Sequence, residues 1–401
     1  MDRFELMRML KQPSAEKIVF LILDGLGGLP QENRTELELA HTPNMDKLAA
    51  KSETGLMVPV LPGITPGSGP GHLSLFGYDP LQYMIGRGIL SALGVKFPIR
   101  DGDLAARVNF ATLDAKGNVI DRRAGRIPDE INQAMCEKIR EIQIPGLEIF
   151  IETEKEHRAA LILRGQQFSD HLSETDPQKT EVPPRPVKAL ENTPASVHTA
   201  ELLNNFLSEV RKKLKGEKPA NGILLRGFAL YQQIPSMKDI FGLNACAIAG
   251  YPMYRGLARL VGMDVIETES GVQPQFAKLE ECWDDYDFYF VHIKYTDSRG
   301  EDGDFPAKVS VIEEVDEHIP SILKLNPDVL TITADHSTPA SLKAHSWHPV
   351  PLLISSKWAR RSEVSSFGET ELLKGSLGII HSTDLMPLVM AHSGKLAKFG
   401  A

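Results

Sequence analysis

The stretch "ITADHSTPASLKAHSWHPVPLLI", residues 332–354, sets Asp335 and His336 directly after an apolar run and follows them with His345 and His348. Carboxylates and imidazoles grouped in this way can hold a divalent cation or move protons. Three other stretches carry similar residues. "LILDGLGG" ends on Asp24, and "LPGITPGSGPGHLSLFGYDP" (61–80) offers Ser68 among glycines and prolines, with His72 four residues on. "KYTDSRGEDGD" gives Asp297, with Glu301 and Asp302 close behind. With no thiolate among them, these donors suit Mn²⁺, Zn²⁺ or Mg²⁺, and the mixed nitrogen and oxygen set leans to Mn²⁺ or Zn²⁺. Seven candidate ligands (Asp24, Ser68, Asp297, Glu301, Asp335, His336 and His345) exceed the needs of one ion. Two ions about 3.5–4 Å apart would clamp the attacking and leaving oxygens of a displacement at phosphorus. A metal-bound Ser68 would lose its proton and become an alkoxide nucleophile. The glycines beside it allow close approach of backbone to a phosphate.

Each motif alone has a plain structural explanation. Asp24-Gly25 is an ordinary strand-ending turn. "PGSGPG" is a flexible loop that lacks the Lys-Ser/Thr of a nucleoside-triphosphate loop. "EDGD" reads as a solvated loop, and His348 as a surface histidine beside Trp347. The metal reading rests on the recurrence of such residues at the ends of separate strands.

The elements that must position them are legible as apolar runs, each followed by a loop and a helical pattern. "KIVFLIL" (17–23), "NGILLRG" (221–227), "NACAIAG" (244–250), "FYFVHIK" (288–294) and "VLTITAD" (329–335) predict strands of a mainly parallel α/β sheet covered on both faces. Ligands collect at the carboxyl ends of such strands. Residues 105–165 predict instead a β-α-β-β pattern suited to a small α+β insert. The polar, Pro-rich stretch 166–195 reads as a surface loop or linker. The expected organisation is a discontinuous domain, 1–104 and 191–401, with an inserted cap and its linker at 105–190.

Composition sets the outer bounds. The 401 residues are 42% apolar and 24% charged, the balance of a soluble globular protein of more than one domain. A formal charge of −9 argues against a nucleic-acid partner, while a few local arginines would suffice for a small anionic substrate. Cys136, Cys246 and Cys282 are widely spaced with no CxxC, which fits a reducing, cytoplasmic setting. No run of about 18 apolar residues suggests a membrane span.

Taken together, the motifs resemble the cofactor-independent phosphoglycerate mutases of the archaeal type, members of the alkaline phosphatase superfamily. The likeness runs over nearly the whole chain, through LDGLGG, TPNMDKLA, PGSGPGHLSLFGYDP, GRGILSALGV, DRRAGRI, HRAALILRG, ARLVGMDV, HIKYTD, TADHSTP and the terminal KFGA. It implies an alkaline-phosphatase-like fold and interconversion of 3-phosphoglycerate and 2-phosphoglycerate through a phosphoserine, under an inserted cap that closes as a lid. Two divalent ions are implied, Mn²⁺ first with Mg²⁺, Zn²⁺ or Co²⁺ as alternatives, and no 2,3-bisphosphoglycerate. Ser68 becomes the phosphorylated residue and joins Asp24, Asp335 and His336 around one ion. Asp297 and His345 hold the second. Where the family pattern places a histidine, this chain has Glu301, and His348 is the alternative imidazole. Arg122, Arg123, Arg126, His157 and Arg158 are implied substrate contacts, with His72, Lys294 and Arg255 (at a family lysine position). Asp121 is the implied acid–base partner. The rival readings are a related metal-dependent phosphatase or mutase for another phosphate ester, and a non-catalytic paralogue.

Overall fold

A computed structural model describes residues 1–400. The chain opens with strands β1 (Ile18–Leu23) and β2 (Glu53–Val58). The middle of the chain brings β3 (Leu104–Leu113), β4 (Val119–Asp121), β5 (Glu148–Lys155), β6 (Arg158–Arg164) and β7 (Gly222–Leu230). It ends with β8 (Ala245–Ala249), β9 (Asp264–Ile266), β10 (Phe288–Ile293), β11 (Val329–Thr333), β12 (Val350–Ser356) and β13 (Gly378–His381). Two compact units result. One is Met1–Met84 together with the chain from Pro235 onward, and the other is Ile85–Ile234.

The first unit is built on an eight-stranded sheet of order β13-β2-β12-β11-β1-β10-β8-β9. Every residue of β1 (IVFLIL) is buried. Because successive side chains point to opposite faces, a strand buried at every position must be covered on both. All pairings are parallel except those of β12, which runs antiparallel to β11 and β2. That one reversal matters for function. The loop entering β12, which carries His345, lies at the same sheet edge as the carboxyl ends of β1, β10 and β11. Loops at that edge are tied by Lys308, fully buried on the helix Phe305–Lys324. Its ammonium donates to Gly25 O at 3.0 Å, Gly27 O at 3.2 Å and Thr338 O at 2.8 Å. No helix among the described residues is long and apolar enough to cross a membrane.

The second unit is antiparallel. Central β3 pairs β6 on one side and β7 on the other, β5 flanks β6, and β4 pairs the far end of β3. Alternation along β3 divides its labour. Leu104, Ala106, Val108 and Phe110 enter a core with Met135 and Ile139 of the helix Asp129–Arg140 and Leu203 and Phe206 of the helix Pro194–Lys213. Ala105, Arg107 and Asn109 face the other way.

The observed boundaries differ from the expected 105–190. The unit begins at Ile85 because the helix Arg87–Gly94 packs on β3, and it runs to Ile234 because "NGILLRG" belongs to β7. That run was expected in the parallel sheet. Three consecutive apolar residues do not distinguish a parallel partner from an antiparallel one. Nor is the Pro-rich stretch a linker between domains. Leu225 N donates to Thr175 Oγ1 at 2.7 Å and Val187 N to Asn204 Oδ1 at 3.0 Å, which stitches it to its own unit.

Gly88 marks the closest approach of helix to sheet, since a Cβ there would meet Ala106 N at 2.5 Å. Gly88→Ala would gain about 1 kcal/mol of helix propensity. It would lose about 1–3 kcal/mol to overpacking against backbone that cannot move aside. The clash should win, so the urea midpoint of the second unit should fall. An unchanged or higher midpoint would show that the helix has room to shift.

Candidate active site

Asp24 follows β1, Asp297 lies on the helix Tyr295–Asp302 just after β10, and Asp335 and His336 follow β11. Ser68 opens the helix Ser68–Leu75, with Gly67 at its N-cap. Gly71, one turn in, lets that helix reach the Asp335 backbone, since a Cβ there would meet Asp335 O at 2.5 Å.

Four atoms converge. His336 Nε2 lies 3.3 Å from Ser68 Oγ, 3.3 Å from Asp24 Oδ1 and 3.2 Å from Asp335 Oδ2. Asp24, Asp335 and His336 are fully buried, and among the described residues no donor is aimed at Asp24 Oδ1 or Asp335 Oδ2, the His72 Nδ1 beside the latter being directed to Ser68 O. Buried carboxylate oxygens without donors are costly unless a cation meets them. Such a set of oxygen and imidazole donors fits a divalent ion.

The remaining atoms of these side chains are occupied. Asp24 Oδ2 accepts from the Tyr254 hydroxyl and lies 3.2 Å from both Lys294 Nζ and His292 Nε2. Burial alone would raise the Asp24 carboxyl, but Lys294, His292 and His336 outweigh it and hold it well below the usual range. Asp335 Oδ1 accepts from Gly25 N at 3.3 Å. For Asp335 too, burial and Asp24 act upward, yet His336 and His72 bring it below the ordinary carboxylate value.

A second group comprises Asp297, His336 and His345, whose ligand atoms lie within 4.8 Å of one another. His345 Nδ1 meets the Pro66 carbonyl at 2.9 Å, so Nδ1 carries the proton and Nε2 is left to face Asp297 Oδ1 at 3.5 Å. The His336 ring stacks on His345 with centroids 3.7 Å apart. His336 borders this group, with Nδ1 4.0 Å from Asp297 Oδ1, while its Nε2 lies among the atoms of the first. Glu301 stands at the edge with Oε1 3.8 Å from His345 Nε2, and burial and the Asp297 carboxylate push its pKa up. His348 is not brought in. Its Nδ1 meets Ser346 Oγ at 3.1 Å and its ring stacks on Trp347.

Several expected substrate contacts are engaged elsewhere. His72 is fully buried and cannot meet a substrate. Its Nδ1 donates to Ser68 O at 2.8 Å and lies 3.0 Å from Asp335 Oδ2, so it backs the ligands from behind. Lys294 Nζ bridges Asp297 Oδ2 and Asp24 Oδ2. Arg255 pairs with Glu267 at 2.5 Å and donates to Gly250 O at 2.5 Å. In the second unit Arg122 forms a two-pronged pair with Asp176 at 2.8 and 2.7 Å. Asp121 accepts from Arg123 N at 2.8 Å and Gly125 N at 2.7 Å, bracing the turn that presents exposed Arg123 and Arg126.

The second unit also gathers arginines around the expected Arg158, and of these Arg87, Arg107 and Arg226 were missed by sequence reasoning. Arg107 and Arg226 are direct partners across β3 and β7, and Arg158 partners Asn109, two residues along the same face of β3. Burial and then Arg87 push the Arg107 guanidinium down to about 10, and its Nε has no hydrogen-bond partner among the described residues. Burial, reinforced by Arg158, Arg123, Arg126 and Arg107, holds nearby His157 near a pKa of about 4. Arg226 finds partial relief in Glu174 at 3.4 Å and Asp176 at 3.6 Å. This face suits an anion. Alternation around Arg107 was the available signal, obscured because Arg107 and Arg226 lie in runs that read simply as strand. In the first unit Tyr254, His292 and Thr338 were likewise missed, although His292 interrupts an apolar strand two residues before Lys294.

Comparison with known proteins agrees with this geometry. Residues 49–221 match the family described as 2,3-bisphosphoglycerate-independent phosphoglycerate mutase. The chain is 50% identical over 408 residues, the full length of both, to a Thermus thermophilus protein described as a probable enzyme of that kind. A Thermotoga maritima protein of the same description is 50% identical over 404 residues, again covering both chains fully. A solved structure from Pyrococcus horikoshii matches with a TM-score of 0.82 at 32% identity, over 98% of this chain and 100% of that one. The cofactor-independent phosphoglycerate mutase of Thermoplasma acidophilum matches with a TM-score of 0.70 at 30% identity, over 94% and 100%. Matched end to end by such relatives, the chain belongs to the 2,3-bisphosphoglycerate-independent phosphoglycerate mutase family.

Proposed function

We propose that the protein interconverts 3-phosphoglycerate and 2-phosphoglycerate in the cytoplasm, as a step of glycolysis and gluconeogenesis, through a phosphoserine at Ser68. The observation that carries this reading is the convergence of Ser68 Oγ, Asp24 Oδ1, Asp335 Oδ2 and His336 Nε2, in a chain of this family. Asp24, Asp335, His336 and Ser68 would hold one divalent ion, and Asp297 and His345, with Glu301 at the edge, a second. When bound, such ions supply Lewis acidity that favours the serine alkoxide and neutralises phosphoryl oxygens. Mn²⁺ suits the oxygen-rich set best.

The chain's own residues do the rest. Ser68 Oγ forms a bond to phosphorus as the bond from phosphorus to the glycerate oxygen breaks. The departing oxygen takes up a proton. On return, the other glycerate hydroxyl gives up a proton and takes the phosphoryl group from Ser68. Asp121 is the proposed proton partner, through the lone pairs that its turn bonds leave. Ser68 sits at a helix N-terminus, whose partial positive charge favours the phosphoryl group. The inserted unit is the substrate-handling unit, with Arg107, Arg123, Arg126, Arg158 and Arg226 assigned to the substrate's anionic groups, for which guanidinium forks are suited. Water must be kept from the phosphoserine, or transfer becomes hydrolysis.

Ser68→Ala should abolish mutase activity in an enolase-coupled assay while the Asp297–His345 ion still binds. Substantial turnover would rule out the phosphoserine route. A parent that hydrolyses phosphate esters without isomerising phosphoglycerate would point instead to a related phosphatase.

Arg107→Met should lower kcat/KM roughly 10- to 150-fold, the equivalent of about 1.5–3 kcal/mol for a lost charge-assisted contact. Relief of like-charge crowding should meanwhile leave the unfolding midpoint unchanged or higher. A lower midpoint with unaltered kinetics would make Arg107 structural.

Glu301→Ala should weaken one of two Mn²⁺ binding events in calorimetry and leave the other intact. Glu301→His should restore that event and shift preference towards Co²⁺ or Zn²⁺. Parent-like metal content in both variants would remove Glu301 from the ligand set.

A further inference from the structure

Thr338 lies between the two candidate metal groups without belonging to either. It is fully buried. Its Oγ1 is 2.6 Å from Asp297 Oδ1 and 3.0 Å from His336 Nδ1. The direction of both bonds follows from counting protons. Thr338 Oγ1 donates to Asp297 Oδ1, which spends its single hydroxyl proton. Oγ1 can then meet His336 only as an acceptor, so His336 must carry its proton on Nδ1. Nε2 is left with its lone pair towards Asp24, Asp335 and Ser68.

The surrounding chain is arranged to keep this hydroxyl in place. Thr338 N donates to Gly25 O at 3.1 Å and to Gly27 O at 3.0 Å, and Thr338 O accepts from Lys308 Nζ at 2.8 Å. Two glycines clear the space around it. A Cβ on Gly25, which has a φ of +65°, would lie 2.5 Å from Thr338 Oγ1, and one on Gly300 would lie 2.9 Å from Thr338 Cγ2. Other routes for coupling are weaker. Lys294 also touches Asp24 and Asp297, but through the oxygens that face away from the convergent atoms.

We propose that Thr338 is a positioning residue that couples the two metal groups, through the chain His336 Nδ1–H to Thr338 Oγ–H to Asp297 Oδ1. A cation drawn to His336 Nε2 makes the Nδ1–H a stronger donor. That polarises the Thr338 hydroxyl and strengthens its bond to Asp297, and the same argument runs in reverse. The proposal rests on the reading of these groups as divalent-ion sites.

The test uses full-length protein stripped of metal, with Mn²⁺ alone as the probe. Calorimetry on the parent should show two binding events, the first strengthening the second. Thr338→Val removes the hydroxyl at nearly constant shape. Loss of such an outer partner typically lowers metal affinity about 10- to 100-fold, which is the fall expected here, together with loss of the coupling. Thr338→Ser keeps the hydroxyl and should stay close to the parent. Parent-like affinities and coupling in Thr338→Val would overturn the proposal, even if that variant were less stable. Should the valine variant fail to fold, long-range ¹H–¹⁵N spectra of the metal-free parent still decide. A proton on Nδ1 of His336 supports the bridge, and one on Nε2 refutes it. A parent that binds no Mn²⁺ would sink the metal reading itself, and with it the coupling, while the tautomer would still report on the bridge.

Discussion

Asp24, Asp297 and Asp335 stand at one edge of the eight-stranded sheet with almost no exposure. Three carboxylates that close repel one another and lose their hydration, at a cost of several kcal/mol each unless partners replace the water. Much of the local structure answers that constraint. Lys294 is placed between Asp24 and Asp297, and three imidazoles line the carboxylates. The Tyr254 hydroxyl closes the rear of Asp24, its phenol kept protonated by burial and by Asp24 itself. Even so, Asp24 Oδ1 and Asp335 Oδ2 remain without donors, and both turn towards Ser68 and His336. Lys294, Tyr254 and Gly25 N thus meet the carboxylate oxygens behind the site, while the two donorless oxygens face Ser68 and His336.

The second unit shows the same logic with the sign reversed. Arg107 and Arg226 are adjacent across two strands, with Arg87 and Arg158 close enough to depress the Arg107 pKa. Glu174, Asp176 and Glu154 return only part of the negative charge. Stability alone would favour apolar residues on such a face, as it does on the opposite face of β3. Like charges held together at a cost mark a place where a ligand of opposite charge completes the balance.

Much of this was legible in the sequence, for identifiable reasons. Strand β1 is a continuous apolar run and β10 and β11 are mostly apolar, each followed by chemically active residues, so Asp24, Asp297 and the Asp335–His336 pair could be read at strand ends. Ser68 stood out among its glycines. What could not be read were contacts made at long range. Burial of His72 depends on Tyr254, Phe290 and His292, far along the chain. The pairing of Arg122 with Asp176 crosses a stretch that composition alone marks as loop. The domain boundary was misplaced for a related reason. β7 joins the insert chiefly through pairing with β3, more than a hundred residues earlier.

The histidines show how a rigid site arises from ordinary backbone. His345 gives its Nδ1 proton to Pro66 O, and His72 gives its own to Ser68 O, the carbonyl of the proposed nucleophile. In each case a fixed, non-titrating acceptor takes one ring nitrogen and so determines what the other can do. Pro66 and Ser68 lie two residues apart in the loop entering the Ser68–Leu75 helix, so one short segment places the serine and orients two imidazoles. Gly71 lets that segment reach the Asp335 backbone, while Pro66 and Pro70 limit its alternatives. Substitution at either proline would therefore act on chemistry through geometry, loosening the serine and the imidazole positions together rather than removing any reacting group.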